Sequence, residues 1–211
     1  MLTTPIARGS VLLTIDVQED FTRQGAAAEV PGTGACLPAM RRVLQAYRRS
    51  GLPIVHVVRL YLADGSNADV CRREAIAGGH GIVMPGSDGA ELVMELKADA
   101  AIRLDAKTLL GGGFQALGAN EWAMYKPRWD AFHRTPLEER LRSLRVTTVS
   151  VIGCNFPNCP RATVYGASMR DFRVAIFPDA ISGVYDKGLE ELANIGVAAM
   201  RSEECLKWLA A

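Results

Sequence analysis

Two short, nearly continuous apolar runs constrain the fold of this chain more than any other feature. They are Val11-Leu-Leu-Thr-Ile15, closing abruptly on Asp16, and Pro53-Ile-Val-His-Val-Val58. A strand with one wet face alternates apolar and polar residues, so runs without that alternation belong to strands covered on both faces, as in a parallel sheet. Between the two runs, after a passage rich in Gly and Pro (Gly25, Pro31, Gly32, Gly34), Leu37, Met40, Val43, Leu44 and Tyr47 recur three or four apart among Arg41, Arg42, Arg48 and Arg49. That spacing predicts an amphipathic helix, which Gly51 can stop. Strand, helix and strand make one βαβ unit.

The rest of the chain repeats the alternation. Glu121-Trp-Ala-Met-Tyr-Lys126 predicts a third main strand halted by Pro127, and Pro136 to Leu144 a short helix with Thr135 as its N-cap. Arg145 to Ile152 reads as a strand ending at Gly153, followed by a helix from Pro160 to about Asp171 and a strand at Val174-Ala-Ile-Phe177. One or two closing helices are expected over about 187–199 and 202–210. Between Tyr61 and Gly118, turns at Asp64-Gly65, Gly78-Gly79, Gly86 and Gly111-Gly112-Gly113 leave room only for short helices, about 68–77, 88–97 and 106–110. This stretch reads as an elaborated connection. The expectation is one α/β domain over residues 1–211, a three-layer α/β/α arrangement with a central, mostly parallel, Rossmann-like sheet.

Composition narrows the function classes. The chain has 211 residues, enough for one sizeable core, with 49% hydrophobic and 22% charged residues, as in ordinary globular proteins. Its formal charge of +1 lacks the basic excess that neutralising several nucleic-acid phosphates requires, so no nucleic-acid partner is expected. No apolar run approaches the roughly 18 residues of a spanning helix, and Met1-Leu-Thr-Thr-Pro5 lacks a signal-peptide layout, so no membrane partner and a cytoplasmic location are expected. Five cysteines, an odd number, argue for reduced thiols rather than a disulfide framework.

Ligands of open α/β sheets sit beyond the carboxyl ends of the strands. Asp16 follows the first strand, Lys126 ends the third, and Cys159 lies six residues after Gly153. Taken singly each has an ordinary explanation: the acid caps a turn, the lysine is solvated, the cysteine packs. Among the five thiols, Cys159 is distinguished by Pro160 behind it. A proline suits the first turn of a helix, which puts Cys159 at a helix N-terminus, where the macrodipole and a nearby Lys126 are expected to lower the thiol pKa. Cys36 and Cys205 fall at apolar helix spacing, Cys71 lies in an Arg-rich stretch, and Cys154 directly follows a strand. Cys154 and Cys159 could instead form a disulfide or half a metal site, but no second pair accompanies them. His56, His80 and His133 form no metal motif, and His56, within a strand, reads as a hydrogen-bonded core residue. No glycine-rich phosphate loop is present. Neither a metal nor a cofactor is expected.

Three segments in order carry a family resemblance. They are Leu12-Leu-Thr-Ile-Asp-Val-Gln-Glu-Asp-Phe21; Lys126-Pro-Arg-Trp-Asp-Ala-Phe132 with Thr135 and Leu137; and Val151-Ile-Gly-Cys-Asn-Phe-Pro-Asn-Cys-Pro-Arg-Ala-Thr163, with Arg170-Asp171 and Asp179-Ala180 beyond. The chain resembles the isochorismatase-like cysteine hydrolases, which include nicotinamidase and N-carbamoylsarcosine amidohydrolase. The resemblance implies a catalytic triad of Asp16, Lys126 and Cys159, an oxyanion hole from the backbone N–H groups of Asn155 and Cys159, and a cis peptide at Cys154–Asn155. It implies a homo-oligomer, dimer or tetramer, acting on a small-molecule substrate. Nicotinamidases carry D-x-H after the second strand, whereas this chain reads His56-Val-Val-Arg-Leu-Tyr61. Isochorismatases proper generally lack the cysteine, so Cys159 favours acyl transfer.

For the pocket, Phe21, Trp129 and Tyr165 are expected as apolar or stacking walls and Arg161 as a carboxylate clamp, the alternatives being core packing and a solvated or interface arginine. The leading expectation is metal-independent cysteine amidohydrolysis of a small amide, carbamoyl or ureido C–N bond through a thioester on Cys159. Two rivals are a non-catalytic ligand-binding protein of the same fold and an isochorismate-type ether hydrolase, which would survive loss of Cys159.

Overall fold

The computed structural model describes all of residues 1–211 and joins the predicted runs into one seven-stranded sheet. In chain order the elements are β1 (Ser10–Ile15), α1 (Glu19–Thr22), α2 (Thr33–Arg49), β2 (Ile54–Val58), α3 (Val70–Ala77), α4 (Ala106–Leu110), β3 (Phe114–Gly118), β4 (Glu121–Tyr125), α5 (Leu137–Ser143), β5 (Thr148–Gly153), α6 (Cys159–Ser168), β6 (Arg173–Ile181), α7 (Asp186–Asn194), β7 (Ala198–Ala199) and α8 (Cys205–Leu209). The strand order is β3-β4-β2-β1-β5-β6-β7, parallel throughout except for β3, which runs antiparallel to β4 on one edge.

Every residue of β1, β2 and β5 is buried, as their lack of alternation required. On one face Val11, Leu13 and Ile15 pack with Leu137 and Leu141 of α5, Val164 and Ala167 of α6, and Leu192 of α7. On the other, Leu12 and Ile152 meet Met40, Val43 and Leu44 of α2 and Cys205 and Leu209 of α8. Helices therefore cover both faces, and truncating a sheet residue such as Leu13 to Ala should cost about 2–5 kcal/mol. A third cluster, including Leu60, Ile76, Ile82, Leu92, Leu104 and Leu109, gives the connection between β2 and β3 its own small core.

The differences from the predicted elements have local causes. The expected helix over 88–97 is two 3-10 turns, Asp88–Ala90 and Met94–Leu96, because Leu92 between them makes an antiparallel bridge to Gln18. The strand β3 follows three glycines and is half exposed at the sheet edge, so it lacks the buried run that marks its neighbours. The helix expected to reach 199 stops at Asn194; Gly196 takes φ +81° and Ala198–Ala199 then pair with β6. The last helix opens as a 3-10 turn, Ser202–Glu204. Left-handed Arg145 (φ 58°) delays β5 to Thr148, and left-handed Asp171 (φ 59°) lies beyond the end of α6 at Ser168. Thr135 lies one residue before the N-cap position at Pro136, its hydroxyl accepting from the Leu137 N–H at 3.4 Å.

Candidate active site

Four strands that stand side by side, β4, β2, β1 and β5, release at their carboxyl ends Lys126, Arg59, Asp16 and Cys154. The ladder continues into these residues. The Asp16 N–H donates to Val57 O (2.9 Å), the Lys126 N–H to Val58 O (3.0 Å) and the Cys154 N–H to Ile15 O (2.9 Å), so the sheet fixes their backbones. Because the chain passes from β1 to β2 on one side and places β5 on the other, a crevice opens at β1, the position where such sheets bind ligands. The two backbones close tightly there: a Cβ on Gly153 (φ +126°) would lie 2.2 Å from Ile15 O, so only glycine fits. Asp16 itself is left-handed (φ 54°), a conformation an L-residue holds only when its surroundings impose it.

Lys126 Nζ lies 2.7 Å from Asp16 Oδ2, with both side chains buried. The other carboxylate oxygen, Oδ1, is buried and has no protein partner. Cys159 is the first residue of α6, behind the N-cap position at Asn158, with Pro160 next. The Cys154–Asn155 peptide is cis. Neither the Asn155 nor the Cys159 backbone N–H donates to another protein group. Arg59 is only 2% exposed. Its Nη2 is 3.8 Å from Cys159 Sγ, and its Nη1 lies 3.0 Å from both Asp69 Oδ2 and Pro127 O. Tyr61 donates to the same Asp69 oxygen at 3.0 Å. Gln18 locks the Arg59 backbone, accepting its N–H at 2.7 Å while donating to Arg59 O at 2.8 Å and Ala90 O at 2.6 Å.

The thiol does not have the lowered pKa expected of it. Burial pushes Cys159 up, the adjacent Asp16 carboxylate pushes the same way, and Lys126 and Arg59 only partly offset them. Desolvation and the neighbouring carboxylate outweigh the two cations, so the thiol needs a base. Cys154, whose Sγ donates to Asp16 O at 3.1 Å, is held well above the ordinary range by burial, and burial alone pushes Cys205 to about 12.

A cavity of about 150 Å³ joins Asp16, Arg59 and Cys159 to solvent, a size that accommodates a benzene-sized guest. Phe21, buried, and Trp129, 43% exposed at the mouth, line it together with Tyr61, Asp69 and Arg72. Arg161 and Tyr165 do not. Arg161 lies on the outer side of α6, paired with Glu191 and with the Tyr165 and Tyr185 hydroxyls, so its guanidinium is already satisfied away from the cavity. Tyr165 packs against the core beneath α6. Arg59, Asp69, Tyr61 and Arg72 were missed by the sequence reading. Arg59 had a usable signal: like Asp16, it is the first charged residue after a buried strand. Asp69 and Arg72 sit at the start of α3 in the glycine-punctuated connection and had none. His56 is buried within β2, bonded to Thr14 and Glu121. No three His, Cys, Asp or Glu side chains converge to hold a metal.

The Isochorismatase domain matches residues 10–114 and 110–204. The chain is 29% identical to a probable inactive nicotinamidase from Arabidopsis thaliana, over 90% of this chain and 91% of that one. It is 27% identical to a ureidoacrylate amidohydrolase from Methylobacterium radiotolerans, over 87% of this chain and 72% of that one. Among solved structures, an isochorismatase family protein from Desulfovibrio vulgaris superposes with a TM-score of 0.79 at 30% identity, covering 97% of this chain and all of the other. By domain match and by fold over nearly its whole length, the chain belongs to the isochorismatase family of hydrolases.

Proposed function

We propose that the protein is a metal-independent cysteine amidohydrolase that cleaves the C–N bond of a small amide, carbamoyl or ureido compound. The observation that carries this reading is the unpartnered, buried Asp16 oxygen in the cavity that also holds the Cys159 thiol. A carboxylate paired on one oxygen with Lys126 and free on the other is a base held in place. Asp16 takes the thiol proton as sulfur attacks the carbonyl carbon, and charge develops on the carbonyl oxygen. The free N–H groups of Asn155 and Cys159 are the donors for that oxygen. Collapse breaks the C–N bond, and the departing amine takes the proton from Asp16, leaving a thioester. Asp16 then takes a proton from water, which attacks the thioester and expels the sulfur, and Asp16 returns that proton to the departing sulfur to restore the thiol. The likeness to a ureidoacrylate amidohydrolase supports the bond type, and the small cavity supports a small substrate.

The test is ammonia release by wild type and Cys159→Ala, with EDTA present, from small amides, N-carbamoyl amino acids and ureido compounds. Release by wild type alone, with an acyl adduct on Cys159 in quenched samples, is the expected result. Equal release by Cys159→Ala would overturn the mechanism and favour chemistry that does not use the thiol.

A further inference from the structure

Cys159 faces two buried ion pairs, and only one of them belongs to the triad. The second, Arg59 with Asp69, puts a guanidinium nitrogen at sulfur hydrogen-bond distance from Sγ. We infer that Arg59 is a fourth catalytic residue, donating from Nη2 to the Cys159 sulfur whenever that sulfur carries negative charge, and that Asp69 is its positioning residue. This rests on Cys159 being the nucleophile.

Three observations carry it. Arg59 is almost wholly buried, and its Nε has no acceptor, so the side chain is not placed there to satisfy itself. Its Nη1 is tied to Asp69 and Pro127, which aims Nη2 at the thiol, and Tyr61 fixes Asp69 in turn. The backbone is clamped on both sides by Gln18, leaving the guanidinium little freedom to leave the cavity. A protonated thiol is a poor acceptor; a thiolate is a strong one, and a donor already in place strengthens the contact without reorganisation. Sulfur carries negative charge twice, as its proton moves to Asp16 during attack and when water expels it from the thioester. The groups around it are Asp16, Lys126, Arg59 and the neutral Cys154 thiol, with Asp69, Tyr61 and Arg72 lining the same cavity. Lys126 is held by Asp16 and stabilises the base; Arg59 is the cation whose free donor faces sulfur.

The test needs no substrate. Alkylation of Cys159 by iodoacetamide is followed against pH, with peptide mass spectrometry separating it from Cys36, Cys71, Cys154 and Cys205. Arg59→Met should move the profile up by about one pH unit and slow labelling at pH 7 about tenfold, and Arg59→Lys should recover part of the loss. Since Arg59→Met leaves Asp69 buried and unpaired, Arg59→Met/Asp69→Asn removes both charges and should show the same upward shift. An unmoved profile in either variant, or wild-type reactivity restored by the double change, overturns the role while leaving the nucleophile intact. A wild-type Cys159 labelled no faster than Cys205 removes the nucleophile itself.

Discussion

Two charged clusters buried in the molecule, one inside the sheet and one at its carboxyl edge, differ in how completely they are satisfied. Inside, Glu121 of β4 accepts from Arg48 of α2 on both oxygens (2.6 and 2.8 Å) and from His56 of β2 at 2.8 Å, while the other His56 nitrogen meets Thr14 of β1 at 2.8 Å. Neither Glu121 nor His56 is left with an unpartnered atom. At the edge, Asp16 and Arg59 each keep one buried atom unpaired. An unsatisfied buried polar atom costs about 1–3 kcal/mol, a cost that a purely structural cluster avoids. The first cluster ties strands and helix together; the second holds open positions for something that arrives.

The sharpest way to break this contrast is to neutralise one acid in each cluster. Asp16→Asn should lower turnover about 10³-fold, the size expected for loss of a general base, measured as ammonia release from whichever compound the wild type hydrolyses. Glu121→Gln should leave the rate of Cys159 alkylation unchanged and instead lower stability by about 1.5–3 kcal/mol in urea unfolding. A loss of turnover in Glu121→Gln comparable to that in Asp16→Asn would erase the division between a structural and a functional cluster.

Acid sharpens it further. Burial pushes the Glu121 carboxyl up, but Arg48 and His56 together hold it at about 2, against an ordinary value near 4.5. A depressed carboxyl pKa stabilises the fold only where the unfolded chain's group is also ionised. Its contribution is therefore complete above about 4.5 and is lost as pH falls toward 2. Urea midpoints measured from pH 6 downward should fall through this window in the wild type and fall less steeply in Glu121→Gln. An acid limb of unchanged slope would show that other carboxylates dominate.

How far the sequence could be read follows the same division. The residues that end buried strands were legible, since a charge directly after an apolar run marks a strand's carboxyl end; Asp16 and Lys126 were singled out on that ground. Arg59 obeys the same rule, as the first charged residue after the buried run of β2. The helix start at Cys159 was legible through Pro160, whereas the thiol's raised pKa was not, because desolvation depends on what closes over the site from elsewhere in the chain. Arg161 was misread for a related reason: a guanidinium next to the nucleophile in sequence points outward when a helix turns it toward Glu191. Edge elements such as β3 and β7 carry little burial and so leave little pattern.

The smallest effect concerns the mouth of the cavity. Arg72 lines it half-buried, over the Phe21 ring at 5.5 Å, and forms no ion pair with any carboxylate. The cavity is lined by Asp16 and Asp69 against Arg59 and Arg72, and Lys126, outside the lining but paired with Asp16, brings the group to one positive charge in excess, whereas Arg48 and Glu121 in the inner cluster balance. A local excess of this kind raises the concentration of anions near the thiol. Anionic iodoacetate should therefore gain on neutral iodoacetamide at Cys159, and Arg72→Met should lower the iodoacetate rate about threefold at low salt with little change for iodoacetamide. The difference should shrink in high salt, because a charge at the mouth is screened by ions where a buried one is not. If iodoacetate and iodoacetamide slow equally in Arg72→Met, the side chain acts by shaping the opening. If only iodoacetate slows, the mouth selects negative charge, and carboxylate-bearing amides move to the head of the substrate panel.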